Sequence, residues 1–130
     1  MNDRFKFRVW DKGNKRYQGT QDCQPYLDTD GDVCFINKDD VRDYPPENYY
    51  IIEQCTGLKD KNGNLIYEGD IVYDSVYENN FVVSWDNDRT GYILSANNTN
   101  HIDYLSKILI ERHNLKIIGN IHEQAEQKDK

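Results

Sequence analysis

The N-terminal part of the sequence alternates between apolar and polar residues, the pattern of a β-strand with one buried face. The alternation is strict over residues 4–10 and places Phe5, Phe7 and Val9 on one side. The four residues that follow, Asp-Lys-Gly-Asn, suit a turn, because Gly and Asn tolerate positive φ and Asp can bond back to the backbone. We therefore predict a hairpin whose return strand covers residues 15–18.

Further short stretches rich in β-branched and aromatic residues predict additional strands. They lie at 33–36, 49–55, 65–67, 69–73, 81–85, 91–94 and 115–121. One stretch differs, because Ile102, Leu105 and Leu109 recur at helical spacing. We predict a single helix there, near residues 101–112.

The spacing of these elements favours a mainly β protein with one short helix, folded as a single domain over residues 1–130. We expect an N-terminal β part with an acidic loop over 1–56, in which the first strand pairs with the strand at 49–55. Residues 57–123 are predicted to form a small SH3-like barrel, and 124–130 a frayed tail. The predicted core consists of apolar side chains from these strands: Phe5, Phe7, Val9, Ile51, Leu65, Ile71, Val83, Trp85, Ile93, Ile117 and Ile121.

The composition is that of a folded, soluble protein. The 130 residues are 37% hydrophobic and 30% charged, with ten Tyr, four Phe and two Trp, an aromatic content that disordered chains lack. No apolar run approaches the ~18 residues of a membrane span, and the charged N-terminus lacks the apolar region of a secretory signal. We expect an intracellular protein that does not bind membranes.

The cysteines and histidines do not predict a metal site. No two of the three cysteines form a CxxC pair, a pattern that suits reduced cytosolic thiols. A zinc site completed by histidines would need at least one close ligand pair. The histidines stand among polar neighbours, and we interpret each as a surface residue. The residues concerned are Cys23, Cys34, Cys55, His101, His113 and His122.

Charge is unevenly distributed along the chain. The net charge is −7, which opposes general affinity for nucleic-acid backbones. Residues 4–16 nevertheless contain six basic residues against one acidic residue, whereas residues 21–47 contain eight acidic residues against two basic ones. Two candidate surfaces follow. The basic face of the first strand, a candidate for nucleic acid, is Arg4, Lys6, Arg8 and Trp10; the acidic stretch, a candidate for protein binding, includes Asp28, Asp30, Asp32, Asp39 and Asp40.

Two Asp- and Gly-containing segments, at residues 28–32 and 60–64, could be taken for calcium loops. In both, Gly is the fourth residue, whereas an EF-hand loop has Gly at its sixth position and Glu at its twelfth. We therefore predict a solvated turn at 28–32 and a hairpin turn at 60–64. In the second turn we expect both Asn62 and Gly63 to adopt positive φ.

No local signature of catalysis is found. The sequence contains no GxSxG, HExxH, GxxxxGK[ST] or GxGxxG motif. We expect no enzymatic activity, no catalytic residues, no metal and no cofactor.

Three blocks of the sequence resemble the YopX family of phage and prophage proteins. They are KFRVWD from Lys6, TGLKDKNGNLIYEGDIV from Thr56 and KIIGNIHE from Lys116. The order and placement of the blocks agree with the family, and the long central block is the most specific of the three. The resemblance implies a small, mostly β protein of the bacterial host cytoplasm, encoded by a phage or prophage, in a family without an established biochemical activity.

Two hypotheses for function remain open. In the first, the protein is a non-catalytic binding or adaptor protein whose acidic stretch meets a host or phage protein. In the second, it binds nucleic acid through the basic face of the first strand. Homo-oligomerisation is a further possibility, because exposed edges of a small β domain can pair.

Overall fold

The computed structural model describes residues 3–18, 25–36, 39–46, 49–96 and 99–123. The protein is mostly β, as predicted, with one short α-helix among these residues. It divides into two compact units, described separately below. The N-terminal unit comprises Phe7–Glu53, and the C-terminal unit comprises Met1–Lys6 with Gln54–Lys130.

In the N-terminal unit, β1 (Phe7–Asp11) and β2 (Arg16–Tyr17) form the predicted antiparallel hairpin. The turn between them closes as expected, because the Asp11 carboxylate accepts hydrogen bonds from both the backbone N–H and the side-chain amide of Asn14. On its other side β1 neighbours β6 (Tyr50–Lys59), so the predicted pairing of these two segments is confirmed. The same unit contains a three-stranded sheet of β3 (Pro25–Leu27), β4 (Val33–Ile36) and β5 (Arg42–Asp43).

In the C-terminal unit, the later residues of β6 pair with β7, and five further strands form an antiparallel sheet in the order β11-β10-β9-β8-β12. The strands are β7 (Leu65–Tyr67), β8 (Asp70–Asp74), β9 (Asn79–Asp86), β10 (Gly91–Ser95), β11 (Ile102–Tyr104) and β12 (Lys116–Asn120). The core of this unit contains Ile66, Val72, Phe81, Val83, Leu94, Ala96, Ile110 and Leu115. The SH3-like barrel stays a prediction, with which this sheet is consistent.

The helix is shorter than predicted. Helix α1 spans Lys107–His113 and is capped at its start by Ser106, whose side chain accepts a hydrogen bond from the backbone N–H of Leu109. The beginning of the predicted helix is strand β11 instead, paired with β10. Ile102 has the spacing of a helical residue, but pairing with the sheet edge decides its conformation.

Three residues of the predicted core are exposed. Phe5 is 69% exposed because the backbone of Asp3–Phe5 forms a 3₁₀ turn, so the alternation of β1 does not extend to it. Trp85 is 43% exposed near the end of β9, where its indole N–H bonds to Asn87. Ile121 is exposed just beyond β12. Among the others, Val9, Ile71, Val83 and Ile93 are buried, whereas Phe7, Ile51, Leu65 and Ile117 are half-buried.

The turns at 28–32 and 60–64 have the same hydrogen bonds. In each, the first Asp side chain accepts from the backbone N–H groups two and four residues later, and the Gly N–H bonds to the first Asp carbonyl. Gly31 and Gly63 both have φ of +85°. The prediction of positive φ at Asn62 is wrong, because Asp60 accepts its N–H in a turn that needs positive φ only at the glycine.

Two cysteines, Cys34 and Cys55, are buried free thiols, as predicted. Cys23 and the predicted frayed tail at 124–130 lie outside the described residues. Among the described residues, no helix is long and apolar enough to cross a membrane.

Candidate protein-interaction surface

Exposed tyrosines lie in and next to the three-stranded sheet of the N-terminal unit. Tyr26 lies opposite Cys34 in the β3–β4 pairing, and Tyr44 directly follows β5, whose last residue, Asp43, pairs with Phe35 of β4. Cys34 is only 2% exposed, whereas both tyrosines are about half exposed, at 46% and 51%. Side chains directly opposite each other share a face of the sheet. Tyr26 therefore shares a face of the sheet with the buried thiol, and both tyrosines remain open to solvent.

Other large apolar side chains of the same sheet are also exposed. Ile36, at the end of β4, lies opposite Arg42 and is exposed, as is Val41 immediately before β5. We call Tyr26, Ile36, Val41 and Tyr44, together with Asp28, Asp30, Asp32, Asp39 and Asp40, the acidic sheet surface. Tyr26 and Ile36 are strand residues of this small sheet, and Val41 and Tyr44 immediately precede and follow β5.

The predicted acidic residues divide into two groups at opposite ends of β4. Asp28, Asp30 and Asp32 belong to the turn between β3 and β4, and Asp39 and Asp40 precede β5. A four-residue strand is about 13 Å long, so exposed apolar side chains lie between two groups of carboxylates. The structure thus brings together three of the five predicted residues and keeps the other two apart.

Asp28 differs from its neighbours because both of its carboxylate oxygens accept hydrogen bonds within the protein. Oδ1 accepts hydrogen bonds from the backbone N–H groups of Asp30 and Asp32 at 2.9 Å each, and Oδ2 accepts from the Tyr44 hydroxyl at 3.1 Å. The Asp32 N–H, followed by the Tyr44 hydroxyl and the Asp30 N–H, holds the pKa of Asp28 below its usual value against partial desolvation. The predicted Asp and Gly turn is confirmed.

Tyr44 connects this turn to strand β5. Its hydroxyl interacts with Arg42, which lowers the pKa of Tyr44, but the bond to Asp28, desolvation and nearby negative charge together raise that pKa above its usual value. The hydroxyl therefore stays protonated as the donor to Asp28. Tyr44 is held in place although half of its side chain faces solvent.

Tyr44 also lines a cleft of about 530 Å³ in the N-terminal unit. The apolar wall contains Phe35, Pro45, Pro46 and Tyr50, and the rings of Phe35 and Tyr50 are 5.2 Å apart. Asp11, Asn14, Arg16 and Gln18 line the cleft as polar residues. A cleft of this size and mixed lining can receive a side chain of a bound protein.

The sequence matches the YopX protein family over residues 6–127. The chain belongs to the YopX family. Two solved structures are similar over nearly their whole length. Protein EF1440 from Enterococcus faecalis shares 26% sequence identity, with a TM-score of 0.64 over 94% of this chain and 96% of that one. Protein yopX from Bacillus subtilis has the same fold at 17% identity, with a TM-score of 0.57 over 97% and 98% of the two chains. A search of curated proteins finds no significant match.

The YopX-like sequence blocks contain backbone contacts that hold the C-terminal unit together. Asp60, in the central block, accepts a hydrogen bond from the backbone N–H of Ile117 in the last block, at 2.9 Å. Lys61 N–H bonds to the carbonyl of Leu115, next to that block. The Lys6 carbonyl, at the start of the first block, accepts from Cys55 N–H. The contacts that the blocks make with one another therefore have a role in folding.

In this YopX-family chain, the basic face of the first strand is occupied by contacts within the protein. The Arg8 guanidinium donates to the buried carboxylate of Glu53 at 2.7 Å and lies over the ring of Tyr17, whose hydroxyl also donates to Glu53 at 2.8 Å. The Trp10 ring packs edge-on against Tyr17. The charge of Arg8 is therefore largely compensated by a carboxylate that has little access to solvent.

The two remaining basic residues belong to the C-terminal unit. Lys6 pairs with Asp3 at 3.0 Å, and the Arg4 guanidinium lies 4.9 Å from the centre of the Phe5 ring. The structure thus divides the four predicted residues between two units. Sequence analysis did not identify Glu53, although an acidic residue within the apolar stretch YYIIEQC was a signal for a buried ion pair.

The interpretation of His113 as an isolated surface residue is wrong. Its Nδ1 atom lies 2.7 Å from the carboxylate of Asp74, which is almost fully buried and also accepts hydrogen bonds from the backbone of Val76 and Tyr77. Thirty-nine residues separate the pair, and no local pattern indicates it. Among the described residues, no three His, Cys, Asp or Glu side chains are arranged to hold a metal ion.

Proposed function

We propose that this YopX-family chain is a phage- or prophage-encoded accessory protein that acts in the bacterial cytoplasm without catalysis of its own. It binds a basic surface of a host or phage protein through the acidic sheet surface. The observation that carries this proposal is the set of exposed apolar side chains in β3, in β4 and beside β5, with a group of carboxylates at each end of β4. The phage origin rests on the resemblance to the family.

The acidic sheet surface combines features of protein interfaces. Exposed tyrosines are suited to its centre, because aromatic side chains bury a large area and dominate the energetics of many interfaces. The surrounding carboxylates increase the association rate with a basic partner and oppose binding to nucleic acid. Since Tyr44 is already held by Asp28, little conformational entropy remains to be lost on binding.

The basic face supports the alternative of nucleic-acid binding less well. Arg8 is committed to Glu53 and Lys6 to Asp3, so contact with phosphates would have to compete with existing ion pairs. We therefore favour the protein partner.

The charge part of the proposal is tested with Asp30→Asn combined with Asp32→Asn. These substitutions give the 28–32 turn the Asn residues found at the same positions of the 60–64 turn, so the turn geometry should be kept. The matched control, Glu78→Gln with Asp88→Asn, removes the same charge from the C-terminal unit. Each protein is immobilised and exposed to lysate of infected or lysogenic cells, and captured proteins are quantified by mass spectrometry.

We expect a basic partner that the wild type and the control capture and that the Asp30, Asp32 variant captures several-fold less. The apolar part is tested with Val41→Ser, which should reduce capture without a change in charge. Equal capture of the partner by the wild type and both surface variants would contradict the proposal.

A further inference from the structure

The C-terminal unit contains a basic cleft in an otherwise acidic protein. It has a volume of about 660 Å³ and lies between the segment 57–63 and helix α1. Lys59, Lys61 and Lys107 are on its walls and are exposed. This volume falls within the range of small-molecule sites.

The three lysines make no ion pair with any described carboxylate. Lys59 lies within electrostatic range of Asp3, but that carboxylate is bonded to Lys6. Three ammonium groups of the cleft are therefore available, in a chain that has 23 acidic residues.

The carboxylates of the cleft do not cancel this charge by direct contact. Asp60 is 5% exposed, and its two oxygens accept backbone N–H groups of Asn62, Asn64 and Ile117. The remaining acidic residue is Glu111, which is exposed on helix α1 and makes no ion pair with the lysines. The local balance on the walls is positive.

The walls of the cleft are held in place by the fold. The bond from Ile117 N–H to Asp60 and the bond from Lys61 N–H to the Leu115 carbonyl fix the 60–64 turn against the chain that follows α1. Leu58 and the buried Ile110 add apolar surface between the lysines. The cleft thus combines a preformed apolar surface with three exposed cations.

We propose that this cleft binds a small, multiply phosphorylated ligand of the nucleoside diphosphate type. Lysines act as point charges toward phosphate, whereas a planar carboxylate is matched best by the arginine fork, and the cleft contains no arginine. Three ammonium groups match the charge of a diphosphate, and the apolar surface offers contact to the nucleoside. This site is independent of the acidic sheet surface.

The test is an NMR titration of the full chain at low salt with three probes: ADP, inorganic pyrophosphate and adenosine. We expect ADP and pyrophosphate to shift backbone amide signals of residues 57–63 and 107–114, and adenosine to shift none of them. Added NaCl should weaken both interactions, because the contacts are between exposed charges.

The test variant is Lys61→Gln with Lys107→Gln, and the matched control is Lys12→Gln with Lys15→Gln, which changes the net charge equally in the N-terminal unit. We expect the cleft variant to bind ADP about 100-fold more weakly, roughly tenfold for each lysine, and the control to bind like wild type. Lys107→Gln alone, at an exposed helix position, serves if the double variant is unstable.

Absence of amide shifts with about 10 mM ADP and pyrophosphate at low salt would overturn the proposal. So would equal weakening in the cleft and control variants, which would indicate a general effect of charge. Shifts caused by adenosine alone would show that the cleft recognises the nucleoside without its phosphates and would contradict the proposal equally.

Discussion

The carboxylate of Asp60 should be a principal stabilising group of the C-terminal unit, and replacing it with Asn isolates its role. One oxygen accepts the N–H groups of Asn62 and Asn64, which close the turn, and the other accepts the N–H of Ile117 in β12. In Asp60→Asn, the amide oxygen can keep the turn bonds. The amide NH₂ group then faces the Ile117 N–H, so two donors oppose each other.

The expected loss follows from the bond to the Ile117 N–H, because the two turn bonds are kept. A hydrogen bond to a charged group contributes about 1.5–3 kcal/mol, and an unpaired donor with little access to water adds to the loss. We expect Asp60→Asn to lower the free energy of unfolding of the C-terminal unit by about 2–3 kcal/mol. This corresponds to roughly 10 °C in melting temperature for a domain of this size.

Asp28→Asn is a matched control, because Asp28 makes the same turn bonds. Its second oxygen accepts from the Tyr44 hydroxyl, not from a backbone N–H. A hydroxyl can rotate and accept a bond from the new amide, so we expect Asp28→Asn to lower stability much less than Asp60→Asn does. The two variants thus differ in the one contact that connects the turn to β12.

Each unit contains one tryptophan that can report its unfolding. Urea titrations followed by Trp85 fluorescence in a Trp10→Phe background measure the effect of Asp60→Asn, and Trp10 in a Trp85→Phe background measures Asp28→Asn. Losses of equal size in the two variants, within about 0.5 kcal/mol, would refute the role assigned to the contact with Ile117.

Three further outcomes are expected. Gly63→Val should lower the melting temperature by several degrees, because φ of +85° strains a residue with a Cβ by about 1 kcal/mol or more. There is open space around the position of that Cβ, so the loss would come from the backbone conformation alone. Unchanged stability would refute this prediction. Burial raises the pKa of Asp11, but hydrogen bonds from Asn14 and Gly13 hold that pKa below its usual value. The ionised carboxylate of Asp11 therefore stabilises the folded state above about pH 4, and this stabilisation is lost as the pH falls through the folded-state pKa. Urea titrations at several acidic pH values, read by Trp10, should show a weaker acid dependence in Asp11→Asn, and an unchanged dependence would contradict this. Finally, a labelled single-stranded DNA should show no salt-dependent binding to the protein. Binding with a steep salt dependence that is reduced in Arg8→Ala with Lys6→Ala would instead support nucleic-acid binding by the basic face.

Features that depend on neighbours along the chain could be predicted from the sequence alone. Alternation of apolar and polar residues predicted β1, because side chains of a strand point to opposite faces in turn, and stretches rich in β-branched and aromatic residues predicted most of the other strands. The turns at 28–32 and 60–64 could be predicted because Asp and Gly determine them locally. The family could be identified because its central block is long and continuous.

Features that depend on residues far apart in the sequence became visible only in the folded protein. Helix α1 begins at Lys107 because the edge of the sheet takes up the preceding residues as β11. On the basic face, the charge of Arg8 is compensated because its guanidinium is hydrogen-bonded to Glu53, which is 45 residues away in the sequence. His113 likewise meets a buried carboxylate from a distant strand. Charge, exposure and ion pairing depend on which side chains the fold brings together, and local sequence patterns do not identify the partner of each residue.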